Sequence, residues 1–401
     1  MSVLGTTADK TARLDRPSGL LFCIFFGSGF CSLLYEVVWV RLAFAHFGII
    51  TPVLSVVVSV FMLGLGIGSA AGGAVGDAWS RRLRLSPLIL YAAAEFVIGL
   101  GAFVVPRLFT IGEDALLRLG DAGSSRYLLV SAAYIAVAVL PWCILMGATF
   151  PLMMGFMRQV SPAETTSFSF LYLANVAGAM TGAEVTAVVL VELIGFRRSC
   201  AVAAAVNFAI SITALALARR YRNLAAPHTG GPRNLAGILD AGGERWAPLV
   251  LFTTGFVALA MEVVWTRAFT FVLSTTVYAF ATILTIYLLA TCLGSVRYRS
   301  HLAPGSVVST RCLLGWLCLF ALLPPILGDP RLPGSALATV LSIVPICAAL
   351  GYLTPKLIDE YARGNPARAG RAYAWNIAGS ILGPVTAAYL LLPSIGVRIA
   401  L

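Results

Sequence analysis

The chain has 401 residues, of which 59% are hydrophobic and only 11% charged, with a mean hydropathy of +0.90. Soluble domains carry about 25% charged residues, so a chain this long and this apolar cannot be an ordinary water-soluble protein, and its solvent is lipid. The net charge of +11 does not mark a nucleic-acid binder, because the basic residues are dispersed along the chain and follow a membrane rule instead.

In chain order, a polar N-terminal tail (1–17) holds Lys10, Arg13 and Arg16 and leads into an apolar run too long for a cleavable signal. Segments of about 20 apolar residues span a bilayer. They are predicted at 18–44, 50–75, 86–108, 127–157, 167–193, 199–218, 247–272, 276–296, 308–327, 335–355 and 371–395. Pro141 and Pro151 predict a break or tilt in the fourth. The Gly- and Pro-rich stretch 223–246 reads as a linker between 18–222 and 247–401. Of the 28 Lys and Arg, nineteen fall on the side holding the N-terminus and seven on the other, while Arg41 and Arg267 lie inside spans. That bias puts the N-terminus in the cytoplasm of a plasma (inner) membrane protein.

The two parts are copies of one another. Residues 29–41 (GFCSLLYEVVWVR) match 255–267 (GFVALAMEVVWTR) at an offset of 226. Pro141, Cys143, Gly147 and Pro151 match Pro345, Cys347, Gly351 and Pro355, and Tyr172, Asn175, Gly178 and Gly182 match Tyr373, Asn376, Gly379 and Gly383. Six spans in the first copy make the repeat parallel, which is the plan of major facilitator transporters. The loop GGAVGDAWSRR (72–82) resembles that superfamily's cytoplasmic loop signature, with Ala78 where an Arg is usual. The expected fold is therefore all-α and polytopic, with about eleven transmembrane helices in two parallel repeats.

The EVVW-x-R stretches, GATFP at 147–151 and the Y-x-x-N-x-x-G-x-x-x-G segments resemble the membrane region of spermidine-synthase-like membrane proteins, a major-facilitator-like region fused to a spermidine synthase domain. The resemblance implies a polyamine connection. The chain itself shows no alternating βα pattern and no acidic glycine-rich loop, so an aminopropyltransferase-like activity would reside elsewhere.

Glu36 and Glu262 carry the functional signal, because each lies about two-thirds of the way across its span. An ionisable group at that depth costs several kcal/mol unless it is paired or wet. Either the pair binds solute or it locks helices together. Glu95 and Glu184 also fall inside spans, and this net-acidic interior suits a cation, a proton relay or a polyamine. Arg41 and Arg267 follow five residues after each Glu, about 140° round the helix. They are poor partners within one helix and either snorkel or pair between copies. Trp39 and Trp265 wall a cavity or sit in an interfacial belt. Gly64, Gly68, Gly72 and Gly76 line one helix face, and Gly178/Gly182 and Gly379/Gly383 repeat the small-xxx-small pattern of close helix packing.

Eight dispersed cysteines and three scattered histidines give no metal site, and no catalytic spacing or cofactor motif appears. The sequence thus points first to a transporter-like protein for a small cationic or amine solute. The alternatives are the membrane half of an aminopropyltransferase-type system and a non-transporting subunit of a membrane complex. In the first copy, Gly195-Phe-Arg197 is followed by a sixth span, whereas the matching Gly396-Val-Arg398 is followed by three residues. The repeat therefore predicts a twelfth helix, from a longer chain or from a protein partner such as a second copy. That neighbour would lie beside the eleventh span, whose Gly379/Gly383 face otherwise meets lipid.

Overall fold

A computed structural model describes residues 18–48, 51–118, 124–160, 166–221, 243–273, 276–302, 305–327 and 341–400. In lipid every backbone polar group must find its partner inside the protein, and a helix does this within one segment. The described residues are accordingly helical: α1 (Ser18–Phe47), α2 (Thr51–Leu83), α3 (Pro87–Arg118), α4 (Ser124–Val160), α5 (Ser167–Val185), α6 (Val191–Arg220), α7 (Gly243–Leu273), α8 (Thr276–Leu302), α9 (Thr310–Phe320), α10 (Leu323–Leu327), α11 (Val344–Ala362), α12 (Pro366–Thr386) and α13 (Leu392–Ala400). Most of the linker 223–246 lies outside the described residues.

Eight stretches of the described residues are helical, long and apolar enough to cross a membrane. The chain is an integral membrane protein. Eight is fewer than the eleven expected, since the predicted spans at 276–296 and 335–355 do not appear among the eight and two others are merged. Ser167–Arg220 counts as one stretch of 54 residues although two spans were predicted there. Within it a π-helical turn (Thr186–Leu190) precedes Gly195, whose φ of 75° only glycine adopts without strain. The chain reverses there. Going up α1, Phe26 and Phe30 meet Gly178 and Gly182 in rising order, while Gly27 meets Ile210 and Cys31 bonds Ala203, in falling order. α11 carries Lys356, Asp359 and Glu360 and so escapes the apolar criterion. The expected break in the fourth span is not seen, since α4 runs unbroken for 37 residues through Pro141 and Pro151.

The sequence match at offset 201 has a backbone counterpart. A second π-helical turn (Ala387–Leu391) and a second positive-φ glycine, Gly396 at 73°, follow α12 as the first pair follows α5. Helix packing follows the same correspondence. The α2 glycines 64, 68, 72 and 76 all face α4, at Cys143, Ile144, Ala148 and Leu152. Gly178 and Gly182 face the backbone of α1 at Phe26 and Phe30, and Gly379 and Gly383 face α7 at Phe252 and Phe256. The last pair corrects an expectation: α7, not lipid or a vacant position, covers the Gly379/Gly383 face.

Two seams join the copies, α2 against α12 and α5 against α8. Exchanging equivalent helices turns one seam into the other, as a two-fold axis would.

Candidate functional site

Glu36 lies about 27 Å along α1 from its start, and Glu262 about 28 Å along α7, at a rise of 1.5 Å per residue. Glu262 is 8% exposed and Glu36 is partly buried. The two side chains are within electrostatic reach of each other. Neither carboxylate has a hydrogen bond or salt bridge among the described residues. Each sits within electrostatic reach of the cysteine its partner's match predicts: Cys143 for Glu36 and Cys347 for Glu262.

One turn below Glu262 the wall of α7 borders a small cavity of about 30 Å³, at Ala258 and Leu259. Its polar lining comes from Tyr172, Thr254, Tyr287, Thr291, Thr354, Asn376 and Ser380. Asn376 donates to the Leu251 carbonyl at 2.9 Å and the Ser380 hydroxyl to the Asn376 carbonyl at 3.1 Å. The Thr291 side chain is 3% exposed, and its hydroxyl has no partner among the described residues. Tyr287 is close enough to Glu262 and to Tyr172 and Tyr373 for electrostatic coupling.

The cavity is not symmetric in chemistry. At the matching positions of the first copy, Tyr287 corresponds to Phe61, Thr291 to Leu65, Thr354 to Phe150 and Ser380 to Ala179. Sequence inspection passed over these four because each is an isolated polar residue in an apolar span. The signal was present in the aligned copies, as polar against apolar at one register.

Toward the face that carries the bulk of the Lys and Arg, Tyr172 of the cavity lining joins an aromatic cluster spanning both copies. Tyr373 lies 5.4 Å from Phe150 and 5.6 Å from Phe168, and Phe168 stacks on Tyr172 at 5.7 Å. Beneath it, Asp359 of α11 accepts from the Ser169 backbone N–H at 3.2 Å and from the Tyr298 hydroxyl at 3.3 Å. Arg299 donates to the Ser169 hydroxyl at 3.0 Å and lies over the Phe170 ring. The Ser69 hydroxyl donates to the Gly370 carbonyl at 3.1 Å, closing the α2–α12 seam. The copies are thus fastened together on the basic side of the cavity.

The remaining predicted residues fall elsewhere. Glu95 is fully buried within the first copy, accepting from the Ser28 hydroxyl at 2.7 Å and the Asn207 amide at 2.6 Å, while Tyr35 donates to Asn207 at 2.9 Å. It is a satisfied carboxyl between α1, α3 and α6. Glu184 is exposed and accepts from the Thr285 hydroxyl at 2.6 Å across the α5–α8 seam. Arg41 faces Glu192 at 4.0 Å inside its own copy, and Arg267 is exposed, so no described Arg–Glu pair crosses between copies through them. Trp39 and Trp265 are 0% and 1% exposed, which rules out an interfacial belt, and both indole N–H groups lack partners among the described residues. Trp39 stacks on Tyr35 at 5.0 Å within the first copy. No group of three His, Cys, Asp or Glu able to hold a metal exists among the described residues.

No family model matches the chain, and no curated protein matches it in sequence. Solved structures do match. A bacterial homologue of the iron transporter ferroportin, in an outward-facing state, superposes with a TM-score of 0.65 at 11% identity over 96% of each chain. The chain has the major facilitator fold. The E. coli fucose:proton symporter aligns at TM-score 0.56 and 16% identity over 96% of this chain and 94% of that one. The nucleoside transporter NupG aligns at TM-score 0.56 and 15% identity over 96% and 95%.

Proposed function

We propose that this protein is a transporter that carries a small cationic solute across the plasma membrane through the space between its two copies, with its N-terminus in the cytoplasm. Glu36 and Glu262 are the charge-recognising pair. The observation that carries this reading is that two carboxylates inside apolar helices, lacking hydrogen bonds or salt bridges among the described residues, stand at matching positions of the two copies and within electrostatic reach of each other. A charge so placed is expensive to keep for stability alone. A bound cation would relieve both at once. The aromatic cluster of Phe150, Phe168, Tyr172 and Tyr373 and the fastening around Asp359 supply the closed end that alternating access requires. The major facilitator fold agrees with this use.

The test is charge displacement on proteoliposomes adsorbed to a solid-supported membrane, using concentration jumps of inorganic and organic cations. At least one cation should give a saturable current. Glu36→Gln and Glu262→Gln should each abolish it while leaving the gel-filtration profile monodisperse. Full currents in both variants, or no current with any cation, would remove the reading. The resemblance to spermidine-synthase-like proteins supports a second reading, the membrane half of a polyamine-modifying system, for which a co-purifying soluble aminopropyltransferase would be the evidence.

A further inference from the structure

The cavity beneath Glu262 narrows the solute class. We infer that the solute is a small organic ammonium carrying a neutral hydrogen-bonding group, such as a hydroxyl or amide. The inference rests on the proposed transport reading and deepens it.

α7 links the two. Ala258 and Leu259 border the cavity, and Glu262 follows them by three and four residues, one turn along the same helix face. A nitrogen held at the carboxylates therefore presents its substituent to the cavity. The cavity's chemistry is neutral. Its polar lining is made of hydroxyls and one carboxamide, with no acid or base among the lining residues. A second ammonium there would be desolvated without a counter-charge, which is costly, whereas a hydroxyl or amide would meet groups able both to donate and to accept.

Thr291 singles this wall out further. In lipid-facing helices a threonine hydroxyl usually bonds the carbonyl four residues back, as Thr253 and Thr266 do in α7. Thr291 makes no such bond, and a buried hydroxyl without a partner costs about 1–3 kcal/mol. Native structures keep such orphans chiefly where a function or a water uses them. Its match in the first copy is Leu65, so the overall fold does not demand a polar group at this register.

The aromatic groups argue for an organic cation over a metal ion. Tyr172 and Tyr287 line the cavity, and Tyr287 lies within electrostatic reach of Glu262. Tyrosine faces attract alkylammonium groups, while a divalent metal asks for several convergent hard or thiolate ligands. Among the described residues no such cluster forms.

The experiment measures binding to the purified full chain in mild detergent by thermal shift and by equilibrium dialysis. The probes are 4-aminobutan-1-ol, 1,4-diaminobutane, butylamine and Mn²⁺. The aminoalcohol should bind tightest of the four. Tyr287→Phe and Thr291→Val should each weaken it about fivefold and leave butylamine unchanged, because only a neutral hydrogen bond is lost. Glu262→Gln should weaken all three amines. Equal binding of aminoalcohol and butylamine would overturn the inference, as would tighter binding of 1,4-diaminobutane. So would Thr291→Val leaving the aminoalcohol unaffected, which would assign the orphan hydroxyl to water. Currents driven by Mn²⁺ alone would overturn it too, yet leave the transport reading standing. Absence of current with every cation would remove the transport reading itself.

Discussion

Gly178 and Gly379 occupy matching positions in the two copies, and their substitution tests the packing of both. A methyl built on Gly178 lies 2.7 Å from the Phe26 carbonyl carbon, and one on Gly379 lies 2.7 Å from the Phe256 nitrogen, with the Phe26 and Phe252 carbonyl oxygens nearer still. Ordinary contact begins at 3.4 Å. Each Gly→Ala change therefore forces backbone against backbone by at least 0.7 Å, with no flexible side chain to yield. Overpacking of that kind costs about 1–3 kcal/mol, against about 1 kcal/mol recovered from alanine's better helix propensity. Gly315 of α9 is the control, because a methyl there meets nothing within 4 Å and Gly315→Ala should stabilise by up to about 1 kcal/mol. Reversible unfolding in mixed micelles should rank Gly315→Ala above wild type, and wild type above Gly178→Ala and Gly379→Ala, which should be about equally destabilised. If either of the two were tolerated as well as Gly315→Ala, the close α1–α5 and α7–α12 approaches would be wrong.

Further expectations concern single contacts. Tyr35→Phe removes one buried hydrogen bond and should cost about 1 kcal/mol, whereas Asn207→Leu strips a donor from Glu95 and an acceptor from Tyr35 together and should cost about 3 kcal/mol in the same assay. Asp359→Ala removes the acceptor for Ser169 and Tyr298. At about 1.5 kcal/mol for a charged bond, it should raise maleimide labelling of a cysteine at Ala369 from the basic side about tenfold, and unchanged labelling would mean that Asp359 does not hold the copies closed. Arg41→Ala should change stability by less than about 0.5 kcal/mol, since its ion pair with Glu192 is 4.0 Å long and exposed on one side. A cysteine at Ala78, on the exposed end of α2, should label only in inside-out vesicles, and labelling of right-side-out cells would reverse the assigned orientation.

Periodicity and depth made much of this protein legible in its residues. Long apolar runs must be helices in lipid, because no other segment satisfies its own backbone there, and α1 through α6 lie where those runs lie. The matching offsets likewise foretold matching backbone: the π-helical turns and the positive-φ Gly195 and Gly396 stand 201 residues apart. The depth of Glu36 and Glu262 also followed from counting, as residue position along a helix is distance across the membrane. Counting could not say which way a side chain faces or what meets it. Glu95 and Glu262 look alike in sequence, yet one is enclosed by Ser28 and Asn207 while the other has no hydrogen-bonding partner among the described residues. Trp39 and Trp265 have the composition of an interfacial belt but are enclosed by protein. Gly379 and Gly383 signalled a close neighbour without naming α7. Sequence alone determined the all-helical class, the matching backbone at offset 201 and the position of each charge along its helix, because these depend on hydrophobicity and on local hydrogen bonding along one segment. Only the tertiary structure decided which carboxylate is satisfied and which is left without a hydrogen bond among the described residues, because that depends on contacts between residues far apart in the chain, in helices whose facing surfaces are set by their packing against each other.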